Sequence, residues 1–192
     1  MIGAPQVAGF AEWRSAAREL LRAGVPPEAV NWGRPDAGDL FSGALAPAAP
    51  QHNADNTMQA PHVPRSLLEM LQKAACFRAP DRWAFLYRVL WRWTHGEHDV
   101  QSPADPDGSR LHGMVKAVRR EEYDMHAYIR FRERPPETGD PRFVAWFEPR
   151  HDVLPQVAQH FVARMGKVSW MIATPEASVL WAVSYTHLRA HE

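Results

Sequence analysis

Proline placement constrains this chain more than any other feature. Seventeen prolines are spread over 192 residues, and they gather between the periodic apolar stretches rather than inside them. Proline fixes φ and lacks the N–H that helices and strand ladders use. Each cluster therefore marks a loop or turn, and the stretches between clusters mark the elements. The chain has single-domain length, and a chain of this size buries about 70% of the surface its unfolded form exposes. Its eight tryptophans lie in the periodic stretches, where such a ring is usually core and sometimes a binding platform.

Phe10, Trp13, Ala17, Leu20 and Leu21 recur at helical spacing and predict a helix over residues 10–23. Gly24 suits its end, and Pro26-Pro27 prevents continuation. Val30 and Trp32 fit a short strand. Residues 33–62 hold Pro35, Pro47, Pro50 and Pro61 among Gly, Ala, Asn and Asp, and read as a flexible loop or insert. Pro64 then opens a second helix with Leu67, Leu68, Leu71, Ala74 and Ala75 in one stripe. Asp81 is placed to cap a third, with Trp83, Leu86, Tyr87, Leu90 and Trp91 on one face and His95-Gly96 at its end. The link Arg78-Ala79-Pro80 is short enough for a helix hairpin. A polar turn over residues 102–109 precedes a fourth helix carrying Leu111, Met114, Val115 and Val118.

After Val118 the period changes from 3.6 to 2. Met125, Ala127, Ile129 and Phe131 alternate with His126, Tyr128, Arg130 and Arg132. Phe143, Ala145 and Phe147 alternate with Arg142, Val144, Trp146 and Glu148, and the intervening prolines make a turn. This predicts a β-hairpin with one apolar and one polar-aromatic face. A fifth helix over residues 153–165 and a second hairpin, residues 169–174 and 178–181 turning at Pro175-Glu176, complete the chain. Helices first and strands later predict an α+β fold: a single domain with an antiparallel sheet of about four strands packed by about five helices.

Lys+Arg and Asp+Glu both number 22, so the net charge is zero. That excludes a histone-like basic binder and an acidic disordered activator. No apolar run approaches the roughly 18 residues of a membrane span, and residues 1–9 lack the regions of a secretory leader. A single cysteine, Cys76, excludes an internal disulfide, an all-cysteine zinc site and an iron–sulfur cluster held by this chain alone. A reduced, cytoplasmic protein without membrane contact is expected. Cys76, among Ala74, Ala75 and Phe77 on a predicted helix, reads as a buried, inert thiol.

Phosphate-binding glycine loops, a nucleophile elbow and zinc-ligand arrays are missing. No cofactor, no metal and no catalytic residue is therefore expected in this chain. His95 and His98 read as a C-terminal cap pair. His151-Asp152 reads as the start of the fifth helix, and Glu121 and Glu122, adjacent on a helix, do not face each other.

One constellation stands out. His112, Lys116, Arg119 and Tyr123 recur at i, i+4, i+7 and i+11 on the fourth helix, with Arg120 beside them. The predicted strand projects His126, Tyr128, Arg130 and Arg132 to one side, and its neighbour adds Trp146. Guanidinium forks match phosphate oxygens, and aromatic faces accept unpaired bases. Lys116, Arg119, Arg120, His126, Tyr128, Arg130, Arg132 and Trp146 are thus the candidate nucleic-acid contacts. The same residues also suit a solvated, ion-paired face. Residues 107–134 hold seven Lys/Arg and five Asp/Glu, a surplus of only +2. An enzyme using His126 with a carboxylate is a third, weaker reading.

A set of longer motifs runs along the chain, first Phe10-Ala11-Glu12-Trp13-Arg14, Ala23-Gly24-Val25-Pro26-Pro27 and Val63-Pro64-Arg65. It continues through Trp83-Ala84-Phe85-Leu86-Tyr87-Arg88-Val89-Leu90-Trp91-Arg92 and Lys116-Ala117-Val118-Arg119-Arg120. Met125-His126-Ala127-Tyr128-Ile129-Arg130-Phe131-Arg132, Arg142-Phe143-Val144-Ala145-Trp146-Phe147-Glu148-Pro149 and Thr174-Pro175 through Trp181 complete it. In these motifs the chain resembles a bacterial family described as DNA-metabolism or DNA-repair proteins carrying a domain of unknown function. Such proteins stand beside a radical-SAM protein or are fused ahead of a uracil-DNA glycosylase superfamily domain. The resemblance implies an accessory domain over residues 1–182 whose partners are DNA, single-stranded or damaged, and one of those enzymes. The glycosylase motifs and the radical-SAM cysteine triplet are absent here, so the implied catalysis belongs to the partners. A module that docks the repair enzymes without touching DNA is the alternative. The family's His-Lys pair ahead of the strand methionine is replaced by Tyr123-Asp124. Residues 183–192 resemble a translated sequencing adapter. A non-native tail is expected there, with the natural chain continuing past Trp181.

Overall fold

The computed structural model describes residues 2–3, 7–32 and 63–183. The insert expected over 33–62 lies outside them, as does the expected tail beyond Val183. The chain packs as two compact units, residues 1–116 and 117–192. Among the described residues there are five α-helices and a four-stranded sheet, the α+β class the pattern predicts.

The first unit is helical. α1 (Phe10–Arg22) ends through Gly24, whose φ of 65° is the left-handed conformation that glycine adopts without strain. β1 (Ile2–Gly3) and β2 (Val30–Asn31) pair in parallel. α2 (Arg65–Ala74) and α3 (Arg82–Thr94) follow, and α3 stops at Gly96 with φ 90°. The core holds Trp13, Leu67, Leu71, Phe85, Leu86, Val89, Val100 and Leu111, all essentially inaccessible to solvent. Rings layer through it: Phe10 lies 5.5 Å from Trp13, Trp13 6.1 Å from Trp83, and Trp32 5.5 Å from Tyr87. Trp13 and Tyr87 place their polar handles on carbonyls, as burial favours, whereas the Trp32 indole N–H is buried without a partner among the described residues. Trp13 Nε1 donates to the Trp83 carbonyl at 3.1 Å, and the Tyr87 hydroxyl donates to the Val25 carbonyl at 2.6 Å. Burial pushes the Tyr87 hydroxyl pKa above its ordinary range. Cys76 falls in the turn after α2 rather than on the helix; its thiol is buried, forms no disulfide and donates to the Gln72 carbonyl at 3.9 Å.

α4 (Pro106–Tyr128) begins inside the stretch expected to be a turn. Asp105 explains the start. Its Oδ1 accepts the backbone N–H groups of Asp107 and Gly108 at 2.9 and 3.0 Å, which supplies the N-terminal cap. Asp81 is different. It precedes α3 but caps nothing; its carboxylate takes Arg110 at 2.8 Å instead.

The second unit is built on a sheet. β3 (Arg132–Glu133), β4 (Phe143–Trp146), β5 (Trp170–Ala173) and β6 (Ser178–Trp181) lie in that order. β3–β4 and β5–β6 are antiparallel, but the central β4–β5 pair is parallel. The all-antiparallel expectation fails there because α5 (Leu154–Met165) lies between those two strands in sequence. A crossover helix returns the chain to the end it came from, which makes flanking strands parallel. α5 lends Phe161 to a ring cluster with Phe131 (5.2 Å) and Trp170 (6.4 Å). Val157, Ala158 and Ile172 are buried with them.

Candidate nucleic-acid interface

The alternation expected from Met125 onward is not a strand. α4 continues through Tyr128, and only Arg132 and Glu133 pair with β4. Ala127, inward-facing in the strand reading, is exposed, whereas Met125 and Ile129, one helical turn apart, are buried. The polar-aromatic row of His126, Tyr128, Arg130 and Arg132 is therefore dispersed.

His126 turns inward. Its ring sits 4.3 Å from that of His160 and 6.0 Å from Phe161, and its Nε2 is buried without a hydrogen-bond partner. Burial, and then the neighbouring His160, hold its pKa below the ordinary imidazole range; Glu122 opposes them. Tyr128 is the last residue of α4 and is 64% exposed. The Arg130 guanidinium is exposed and donates to the Ala127 and Ile129 carbonyls at 2.9 and 3.0 Å, closing the helix end. Arg119 and Arg120 are exposed on α4, and Arg120 stands 3.8 Å from Asp124, a loose pair. Lys116, also exposed, is the last residue of the first unit.

Arg132 and Trp146 do come together. Successive strand residues point to opposite sides, and the register aligns Arg132 with Val144, Met171 and Leu180 in one row. The next row on the same side is Trp146, Ala173 and Ser178. The opposite side carries Ala145, Trp170 and Ile172, all buried, and faces α5: Trp170 meets Phe161, and Trp181 Nε1 donates to the Gly166 carbonyl at 3.2 Å. The first side is open, with Trp146 57% and Leu180 59% exposed. The Trp146 indole N–H donates to Glu148 Oε1 at 3.0 Å, which fixes one edge of the ring. Arg132 is exposed and has no ion-pair partner among the described residues; the adjacent Glu133 is taken by Arg142 at 2.7 Å.

Met171 and Leu180 belong to this face, and the sequence reading passed over them. Their alternation with Trp170, Ile172 and Val179 was visible, but the register that aligns them with Arg132 and Trp146 is set by strand pairing and has no local signal.

One charge network elsewhere is structural. Arg92 binds Asp105 through two contacts of 2.8 and 2.9 Å and also holds Glu97 and Asp107. Hydrogen bonding from Arg92, then the Gly108 N–H, holds the Asp105 carboxyl down at about 2. The expected cap pair is only half a cap. His95 Nδ1–H donates to the Trp91 carbonyl at 2.8 Å, while His98 lies against the Trp93 ring at 4.3 Å. Among the described residues no cluster of three or more His, Cys, Asp or Glu could hold a metal ion, and no helix is long and apolar enough to cross a membrane.

Fold and surface thus define an α+β protein whose sheet is covered on one side and bears an open, aromatic face on the other. Residues 80–191, from the start of α3 past β6, match the family described as a domain of unknown function, DUF4130, and the chain belongs to that family. No curated protein and no solved structure matches the chain.

Proposed function

We propose that this chain is an accessory domain of DNA metabolism or repair that contacts nucleic acid and leaves catalysis to a uracil-DNA glycosylase-type or radical-SAM partner. The observation that carries the contact is the juxtaposition of Arg132, which has no ion-pair partner among the described residues, with an exposed tryptophan, Trp146, on the open sheet face. The repair context and the partners rest on the family resemblance. Arg119, Arg120 and Tyr128 are exposed and available for backbone contacts, whereas His126 is engaged within the fold and Arg130 is held at the end of α4.

Around the Arg132–Trp146 pair the described cations reach few phosphates. Neutralising one to three phosphates of a single strand gives a log–log salt slope of about −0.7 to −2. The test is binding of labelled single- and double-stranded oligonucleotides at two salt concentrations. Affinity that falls with salt, and a slope that flattens by about 0.7 in Arg132→Ala, support the reading. An unchanged slope in that variant overturns the assignment of Arg132.

Val144, Met171 and Leu180, in line with Arg132, favour a second reading. Trp, Met and Arg around an apolar centre also compose a protein interface, which would make the domain a docking module for those enzymes. Such a complex would form with little dependence on salt.

A further inference from the structure

We infer that the open sheet face takes an unpaired nucleobase on the Trp146 ring, with the adjoining phosphate on Arg132. The ligand class is then single-stranded nucleic acid, or a strand with an extruded base, rather than intact duplex. The inference rests on the nucleic-acid reading above and narrows it.

The register supplies the geometry. Trp146 shares its row with Ala173 and Ser178, the two smallest side chains on the face. A large ring beside two short neighbours leaves a shelf with a flat aromatic wall on one side. Met171 and Leu180 floor the adjacent row, so the shelf continues as an apolar surface. Glu148 holds the indole edge at 3.0 Å, which keeps the ring from turning freely and lowers the cost of ordering it on binding. Arg132 lies one strand over and one row along from Trp146. With strands about 4.8 Å apart and about 3.3 Å of rise per residue, their backbones are about 8 Å apart. A guanidinium on a long arm spans from that position to the phosphate of a base on the shelf.

Duplex fits this face poorly. In a helix both faces of a base are covered by its neighbours, so the ring of Trp146 has nothing to stack on until a base is unpaired. The grooves admit a helix or a two-stranded ribbon, and a four-stranded face is broader than that. Base–aromatic stacking is tolerant of sequence because every base has a π-face. The expected preference is therefore for strandedness and not for sequence.

The experiment uses the full chain and fluorescence anisotropy with three probes: a labelled single-stranded 20-mer, the same sequence as a duplex, and an abasic single strand of equal length. Expected results are tighter binding to the single strand than to the duplex, and a loss of about 5- to 150-fold in Trp146→Ala, the range for one stacked base. Trp146→Phe should recover most of that loss. On the abasic strand Trp146→Ala should bind like wild type, because phosphates remain and the stack is gone. Trp146 is exposed, so truncation leaves the core intact, and circular dichroism of each variant checks this. Equal binding of duplex and single strand, with Trp146→Ala silent, overturns the stacking inference and leaves nucleic-acid binding standing. Failure of every probe to bind at low salt overturns both and assigns the face to an apolar protein partner.

Discussion

Gly108, in the first turn of α4, gives the sharpest test of the packing. A Cβ at this position would meet the Ser102 carbonyl oxygen at 1.9 Å, the Ser102 carbonyl carbon at 2.9 Å and the Val100 carbonyl oxygen at 2.9 Å. All three are backbone atoms, so no side chain can swing away. The Ser102 carbonyl must retreat by about 1 Å, and overpacking of this kind costs about 1–3 kcal/mol. That carbonyl also accepts the Asp105 N–H at 3.1 Å, and losing the bond adds about 0.5–1.5 kcal/mol. Alanine's helix propensity returns about 0.8–1 kcal/mol. The balance for Gly108→Ala is a destabilisation of about 1–3 kcal/mol, or roughly 3–10 °C in Tm for a chain of this size. Gly113 sits on the same helix with nothing within 4 Å of its Cβ position. There only the propensity term operates, so Gly113→Ala should stabilise by about 0.8–1 kcal/mol. Urea denaturation followed by tryptophan fluorescence reads both variants. Opposite signs support the close approach of the Ser102 carbonyl to α4; a stabilising Gly108→Ala refutes it.

Two further perturbations test the electrostatics. Arg92→Met takes the guanidinium from Asp105, while Asp107 keeps Arg88 at 2.6 Å, and should lower the urea midpoint at neutral pH; an unchanged midpoint contradicts that. Because Asp105 is held at about 2 in the folded chain, its contribution is complete above pH ~4 and drains away as pH falls through about 2, a slope that Arg92→Met should flatten. His126 is held below its ordinary range by burial and by His160, so the unfolded chain binds its proton first and stability should fall as pH drops below about 6.5. In His126→Phe the midpoint of urea unfolding should change less between pH 7 and pH 5 than in wild type; a wild-type midpoint flat over that range defeats the argument.

Where the sequence could be read and where it could not follows from how local each signal is. The boundaries of α1, α2 and α3 are legible because a proline or a left-handed glycine ends or precedes each, the start of α5 because Pro155 sits in its first turn, and the β5–β6 hairpin because Pro175-Glu176 marks its turn. Over residues 125–128 of α4 two periods coincide, and the local pattern points to a strand where the chain is helical. Met125 and Ile129 satisfy both an i, i+2 and an i, i+4 pattern, and the difference lies in Ala127, too small to argue either way. The better signal was the lack of any breaker. Between Gly113 and Pro135 the chain has neither glycine nor proline, and Arg, Glu, Met and Ala are good helix formers, so nothing stops the helix before Ile129. The same error scattered the candidate site. A strand would have set His126, Tyr128, Arg130 and Arg132 on one side, whereas a helix turns each residue by 100° and sends His126 against His160. Arg132 and Trp146 survive as a pair because both lie in true strands. Their neighbours Met171 and Leu180 were illegible for the converse reason. They are brought alongside by the parallel pairing of β4 with β5 across α5, a contact between segments 25 or more residues apart that no short window contains. The residues that define the open face are thus fixed by topology, and a substitution that slips the β4–β5 register by one residue would remove the Trp146 shelf without touching Trp146.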